Sequence, residues 1–224
     1  MATLTSRLVG SDDEARFRWT TRDWKIVLVC AFVSGFVYLG WDFVYNDLLK
    51  SGLPGVNLAT VSLINGVWFL GGFVPAALIR KPGALLAGEA LSGFWEIGLT
   101  YLLRQGHYPI NYIGEQYTVI EMNGARMTVL NVVVFVSILE GLAPEMVLGL
   151  RRYLRWDLTT FLLAGAAGGM IEWMTGIWVT HYYAFSGPRL LWGTLASSII
   201  GIALVGGGGG WLVGKMSLRS GKKI

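Results

Sequence analysis

Charge is what this 224-residue chain has least of: Asp, Glu, Lys and Arg make up 14 % of it, against 54 % hydrophobic residues. A soluble domain averages about 25 % charged, so a single water-exposed domain of this length has too little polar sequence to cover itself. Cysteine is nearly absent. Cys30 stands alone in an apolar run, which excludes an internal disulfide and leaves the redox compartment open. The sequence has two histidines, His107 and His181, and no H-E-x-x-H pair, and no serine or cysteine nucleophile has a recognisable base partner. No G-x4-G-K-[ST] loop is present, so the chain does not use ATP in that way. These absences exclude the common enzyme classes and imply neither a cofactor nor a metal centre. The polar opening stretch lacks the apolar core and cleavage site of a signal peptide, so the first helix is expected to serve as its own insertion signal.

Present instead are long apolar runs, of the length that crosses a bilayer as a helix. The expected fold is an all-α integral membrane protein, one domain over 1–224, built as a six-helix bundle. The spans fall at about 24–45, 56–79, 82–103, 127–150, 158–183 and 190–213, with a tail over 1–23 and an external loop or lid over 104–126. Fourteen of the 18 Lys and Arg residues fall on one side of that arrangement. By the positive-inside rule both termini are then cytoplasmic, in a multi-pass protein of the plasma membrane with anionic headgroups as neighbours. The basic residues sit at helix ends and form no surface for nucleic acid.

Five carboxylates fall inside these spans: Glu89 and Glu96 in the third, Glu140 and Glu145 in the fourth, Glu172 in the fifth. An ionised side chain at the bilayer centre costs from about 3 to more than 10 kcal/mol, so such groups face the bundle interior or a wet cavity. Glu89 and Glu96 are two helical turns apart and share a face with Ser92, Gly93 and Thr100. No Lys or Arg is placed deep enough to pair with them, which points to a cationic or hydrogen-bond-donating ligand. The competing reading is a protonated glutamate bonding a neighbouring helix, and it weighs most for Glu145. Trp41 (beside Asp42), Trp68, Trp95, Trp173 and Trp178 accompany the acids, and flat rings beside carboxylates suit a planar cationic heterocycle. Plain helix packing explains each ring about equally well. Asn65 shares a face with Trp68 and could read a heterocycle's edge or hold helices together. Small residues at Ala31 and Gly35, and in "LAGAAGGM", allow close helix contact. The run Gly206–Gly210 weakens a helix by roughly 0.8–1 kcal/mol per residue relative to Ala, so it is a docking surface, a hinge or a loose end.

The segments "GVWFLGGFVPAALIRKPGALLAGEALSGFWE" and "LEGLAPEMVLGLRRYLRWDL" resemble the YkoE family, the S components of energy-coupling factor (ECF) vitamin transporters. The resemblance implies a six-helix subunit that captures thiamin or its hydroxymethylpyrimidine precursor from outside. It also implies two kinds of partner, a transmembrane coupling (T) subunit and ABC-type ATPases. Trp68, Glu89, Glu96 and Glu145 are the positions matching its motifs. With the residues above, the expected ligand set is Glu96, Trp68, Glu89, Asn65, Glu172, Glu140, Trp41 and Trp95. Ala31, Gly35, Glu145, Arg151 and Arg152 are expected in coupling or helix packing. The alternative is a stand-alone proton- or cation-coupled carrier that uses the glutamates as a relay.

Overall fold

The computed structural model describes residues 17–55, 57–104, 119–122, 125–178 and 188–219. The expectations for His107, His181 and most of the 104–126 lid fall outside these residues. α1 is Thr21–Lys50. α2 runs over Leu58–Ile79, α3 over Ala84–Arg104, α4 over Val129–Leu150 and α5 over Leu158–Trp178. α6 spans Pro188–Arg219. Three of these, α1 to Val44, α2 and α6, are long and apolar enough to cross a membrane. The other three carry the five glutamates.

Three of the helices start where the sequence offers a cap. Thr20 and Asp23 form a reciprocal capping box at α1, and Asn57 accepts from the Ala59 and Thr60 N–H groups at α2. At α5 the Asp157 carboxylate accepts from the Thr160 N–H at 2.8 Å, which holds its carboxyl below the usual range. One stretch of the 104–126 loop is a two-stranded antiparallel hairpin. β1 (Val119–Met122) pairs with β2 (Ala125–Thr128), placing Glu121 opposite Arg126. The fourth helix therefore begins after β2.

Large apolar side chains cover the exterior, and polar residues are found inside. Along α1, Leu28, Val29, Phe32, Val33, Phe36 and Val37 are exposed, while Ser34, Tyr38 and Asp42 are buried. A soluble helix has the opposite pattern. Lipid-facing Val and Phe outside, with small and polar residues inside, is how helices associate in a bilayer.

α3 packs on α1, α2 and α4, α5 lies between α4 and α6, and α6 closes against α2. Neither α2 nor α6 is regular where they cross. Ser62–Phe69 of α2 is a 3₁₀ helix, and Ile202–Gly208 of α6 is a π helix. Such departures from α winding mark strain or function. Glycine permits the contact: a Cβ on Gly66 would lie 2.6 Å from the Val205 Cβ, and one on Gly210 would lie 2.6 Å from the Phe73 Cβ. A Cβ on Gly207 would strike the Phe161 carbonyl of α5. The glycine run is thus a docking surface on two sides, which offsets its poor helix propensity.

Candidate functional site

The turn between α2 and α3, "IRKPG", is held by contacts from three sides. Arg80 takes a left-handed conformation (φ 56°) as the C-cap of α2, and Gly83 does the same (φ 81°) before α3. Lys81 pairs with Asp23 at 2.6 Å and donates to the Arg18 carbonyl at 2.9 Å. The Trp19 indole donates to the Pro82 carbonyl at 2.9 Å. The Glu145 carboxylate then accepts from the N–H groups of Gly83 at 2.7 Å, Leu85 at 3.1 Å and Leu86 at 3.2 Å. A carboxylate from α4 therefore caps the start of α3, where unsatisfied N–H groups and the helix dipole favour negative charge. Tyr153 adds its hydroxyl to Glu145. Burial, and then the Glu145 charge, push that phenol above its usual range. Arg152 and Tyr153 both have φ above +50° in the turn after α4, where Arg151 also lies.

Glu89 is fully enclosed where four helices meet. It accepts from the Gly72 N–H at 2.9 Å and from the Tyr38 hydroxyl at 3.3 Å, while that hydroxyl accepts from the Gly71 N–H at 2.8 Å. These N–H groups belong to the first turn after the 3₁₀ segment. Gly88 rests its bare backbone on Pro75, whose ring removes the N–H that would bond the Gly71 carbonyl.

Above this level the acids gather. Glu140 has Glu172, Glu89 and Glu96 as its electrostatic neighbours. The Asn65 amide donates to Glu172 at 2.9 Å. Glu96 is buried on α3, and Gly35 lets α1 close against it: a Cβ there would lie 3.0 Å from the Glu96 N. The Trp68 indole donates to Asp42 at 3.2 Å, and the Trp41 indole donates to the Ile64 carbonyl at 3.2 Å. The 3₁₀ winding matters here. Residues three apart eclipse in such a helix, so Ser62, Asn65 and Trp68 stand in one line.

Of the residues expected at a ligand site, the structure brings Glu96, Glu140, Glu172, Asn65 and Glu89 together, with Trp68 and Trp41 on the neighbouring α1–α2 seam. Trp95 points elsewhere. Its ring packs edge-on against Phe32 and Phe94, both about half-exposed on the outer surface. Glu145, Arg151 and Arg152 lie at the far end of α3 and α4. Ala31 is fully buried and Gly35 presses on Trp95 and Glu96, so both occupy the α1–α3 contact. Tyr38 and Asp42 escaped the sequence reading as site residues. Their signal was available, since both continue the inward stripe of Val27, Ala31 and Gly35 at helical spacing.

Three comparisons bear on this arrangement. The family model described as "ABC-type cobalt transport system, permease component" matches residues 22–103. The HMP/thiamine permease protein YkoE of Bacillus subtilis (strain 168) is 26 % identical over 188 residues, 84 % of this chain and 79 % of that protein. A crystal structure of an S-component of an ECF transporter superposes with a TM-score of 0.71 at 24 % identity, covering 92 % of this chain and 88 % of that one. These relatives are transport proteins and not enzymes. With the apolar helices, they support a multi-pass protein of the plasma membrane. The chain has the fold of an ECF S component, and its sequence is similar to that of the YkoE permease protein.

Proposed function

We propose that the chain is the capture subunit of an ECF importer, a six-span protein with both termini cytoplasmic, and that its ligand is thiamin or its hydroxymethylpyrimidine precursor. The observation that carries this reading is that Glu140 has Glu172, Glu89 and Glu96 as its electrostatic neighbours, with Asn65 bonded to Glu172 and Trp68 in line with Asn65. Like charges this close repel, and a cation between them relieves that repulsion. Thiamin offers a permanent positive charge on its thiazolium ring. Its aminopyrimidine offers an amine and ring nitrogens that a carboxylate and an amide can read. Uptake then depends on a coupling subunit and ATPases, because this sequence has no phosphate-binding loop of its own.

The cobalt-type family model raises a metal cargo as a second reading. Among the described residues no three His, Cys, Asp or Glu side chains are placed to hold a metal ion. Titration of the purified protein with thiamin, hydroxymethylpyrimidine and cobaltous ion, read by calorimetry and tryptophan quenching, separates these. Saturable binding of one of the organic ligands is expected. Binding of the metal alone would overturn the vitamin reading and retain the S-component fold.

A further inference from the structure

At the opposite end of the bundle from the acidic group, a cavity of about 210 Å³ opens between the end of α2, the start of α5 and the last turns of α6. Its walls are aromatic and aliphatic: Trp156 from the turn before α5, Phe161 from α5, Trp211 from α6, and Ala77 from α2. Two cations reach it, Arg80 and Lys215, and no carboxylate lines it. The Lys215 ammonium sits 4.5 Å from the centre of the Trp211 ring. The Arg80 Nε donates to the Ala77 carbonyl at 3.3 Å, which holds the guanidinium back against the helix end. Among the described residues neither cation pairs with a carboxylate.

We infer that this cavity binds the phosphate headgroup of an anionic phospholipid, with Arg80 and Lys215 on the phosphate and the start of the acyl chain on the Trp211–Phe161 floor. Three observations converge on this ligand. The cavity lies near the ends of the apolar helices Leu58–Ile79 and Pro188–Arg219, and the ends of a spanning helix are where headgroups meet it. Trp156 and Trp211 are amphipathic rings of the kind that collect at that depth. The volume is below the roughly 300–1,000 Å³ of sites that enclose a whole small molecule, so a headgroup fits where a vitamin does not. Basic pockets between helices suit anionic headgroups, and two cations without a carboxylate disfavour the positive end of a choline lipid.

The test is native mass spectrometry of the full-length protein in detergent with an equimolar mixture of phosphatidylglycerol and phosphatidylcholine. The wild type is expected to retain phosphatidylglycerol preferentially. Lys215→Gln should cut that preference about fivefold, the effect of one cation at an anionic surface, and Lys215→Arg should keep it. Lys215 is exposed, so its replacement leaves the fold intact, as circular dichroism checks; Arg80→Gln then adds a second loss of similar size. Equal retention of the two lipids by the wild type would overturn the proposal. So would an unchanged preference in Lys215→Gln, or displacement of phosphatidylglycerol by inorganic phosphate alone, which would mark a site for a free anion.

Discussion

Glu89 and Glu145 differ from Glu96, Glu140 and Glu172 in what meets their oxygens, although all five are glutamates on helices of the same bundle. Glu145 receives three backbone N–H groups, and Glu89 receives one together with a tyrosine hydroxyl. The chain itself supplies their partners, so these two carboxylates fasten α3 to α2 and α4. The other three have one another as neighbours, along with the amide of Asn65. A buried carboxylate completed by backbone N–H groups is part of the scaffold, whereas one with further carboxylates nearby is the kind of group whose charge a bound cation would offset. Residue type is identical in the two sets; the partners tell them apart.

The sharpest way to break that comparison is at Glu145. Glu145→Ala removes the acceptor for three N–H groups at the start of a helix, and should cost about 3 kcal/mol of stability. Thermal unfolding in detergent checks this, and thiamin affinity of the protein that remains folded should not change. A loss of affinity without a loss of stability would move Glu145 into the ligand set. Glu96→Gln should do the reverse. It should weaken binding of a cationic ligand about tenfold, or about 1.4 kcal/mol, and leave the melting temperature equal or higher because one repulsion is gone. Unchanged affinity in calorimetry would remove Glu96 from the site.

Glu89→Gln probes the boundary. The amide oxygen can still accept from the Gly72 N–H, so the expected loss is about 1 kcal/mol of stability, again read by melting. If binding falls and stability does not, Glu89 belongs with Glu96. The smallest effect is expected at Lys81→Met. Its pair with Asp23 is partly exposed, and such pairs contribute about 0–1 kcal/mol. A larger drop on melting would mean that the α2–α3 turn is a stronger tie than its geometry suggests.

Much of this was legible in the residues. Each expected apolar run falls on a helix, and three of those helices, α1 to Val44, α2 and α6, are long and apolar enough to cross a membrane. The carboxylates were legible as inward-facing, because lipid cannot solvate them. Their division into two sets was not, since it depends on which backbone N–H groups arrive from another helix: Gly72 for Glu89, and Gly83 for Glu145. The direction of Trp95 was not legible for a related reason. It is adjacent to Glu96 in sequence, and adjacent helical residues point about 100° apart, so the ring turns to the outer surface as the acid turns in. The β1–β2 hairpin had a signal that was passed over. "VIEMNGARMT" places Asn-Gly between two β-prone runs, a strong short-range hairpin pattern. The 3₁₀ and π segments had none, since both follow from backbone contact at Gly66, Gly201 and Gly206.

The 3₁₀ segment also changes how far α2 reaches. A residue rises about 2.0 Å in a 3₁₀ helix and about 1.5 Å in an α helix. With eight of its residues wound tightly, the 22-residue α2 is about 37 Å long, where a uniform α helix would be about 33 Å. Rewinding that segment would shorten the rod by about 4 Å. One end of the rod is the Asn57 cap and the other is the Arg80–Lys81 turn tied to Asp23. Asn65 and Trp68 lie on the part whose pitch sets that length, so the winding that aligns them also fixes the separation of the two ends.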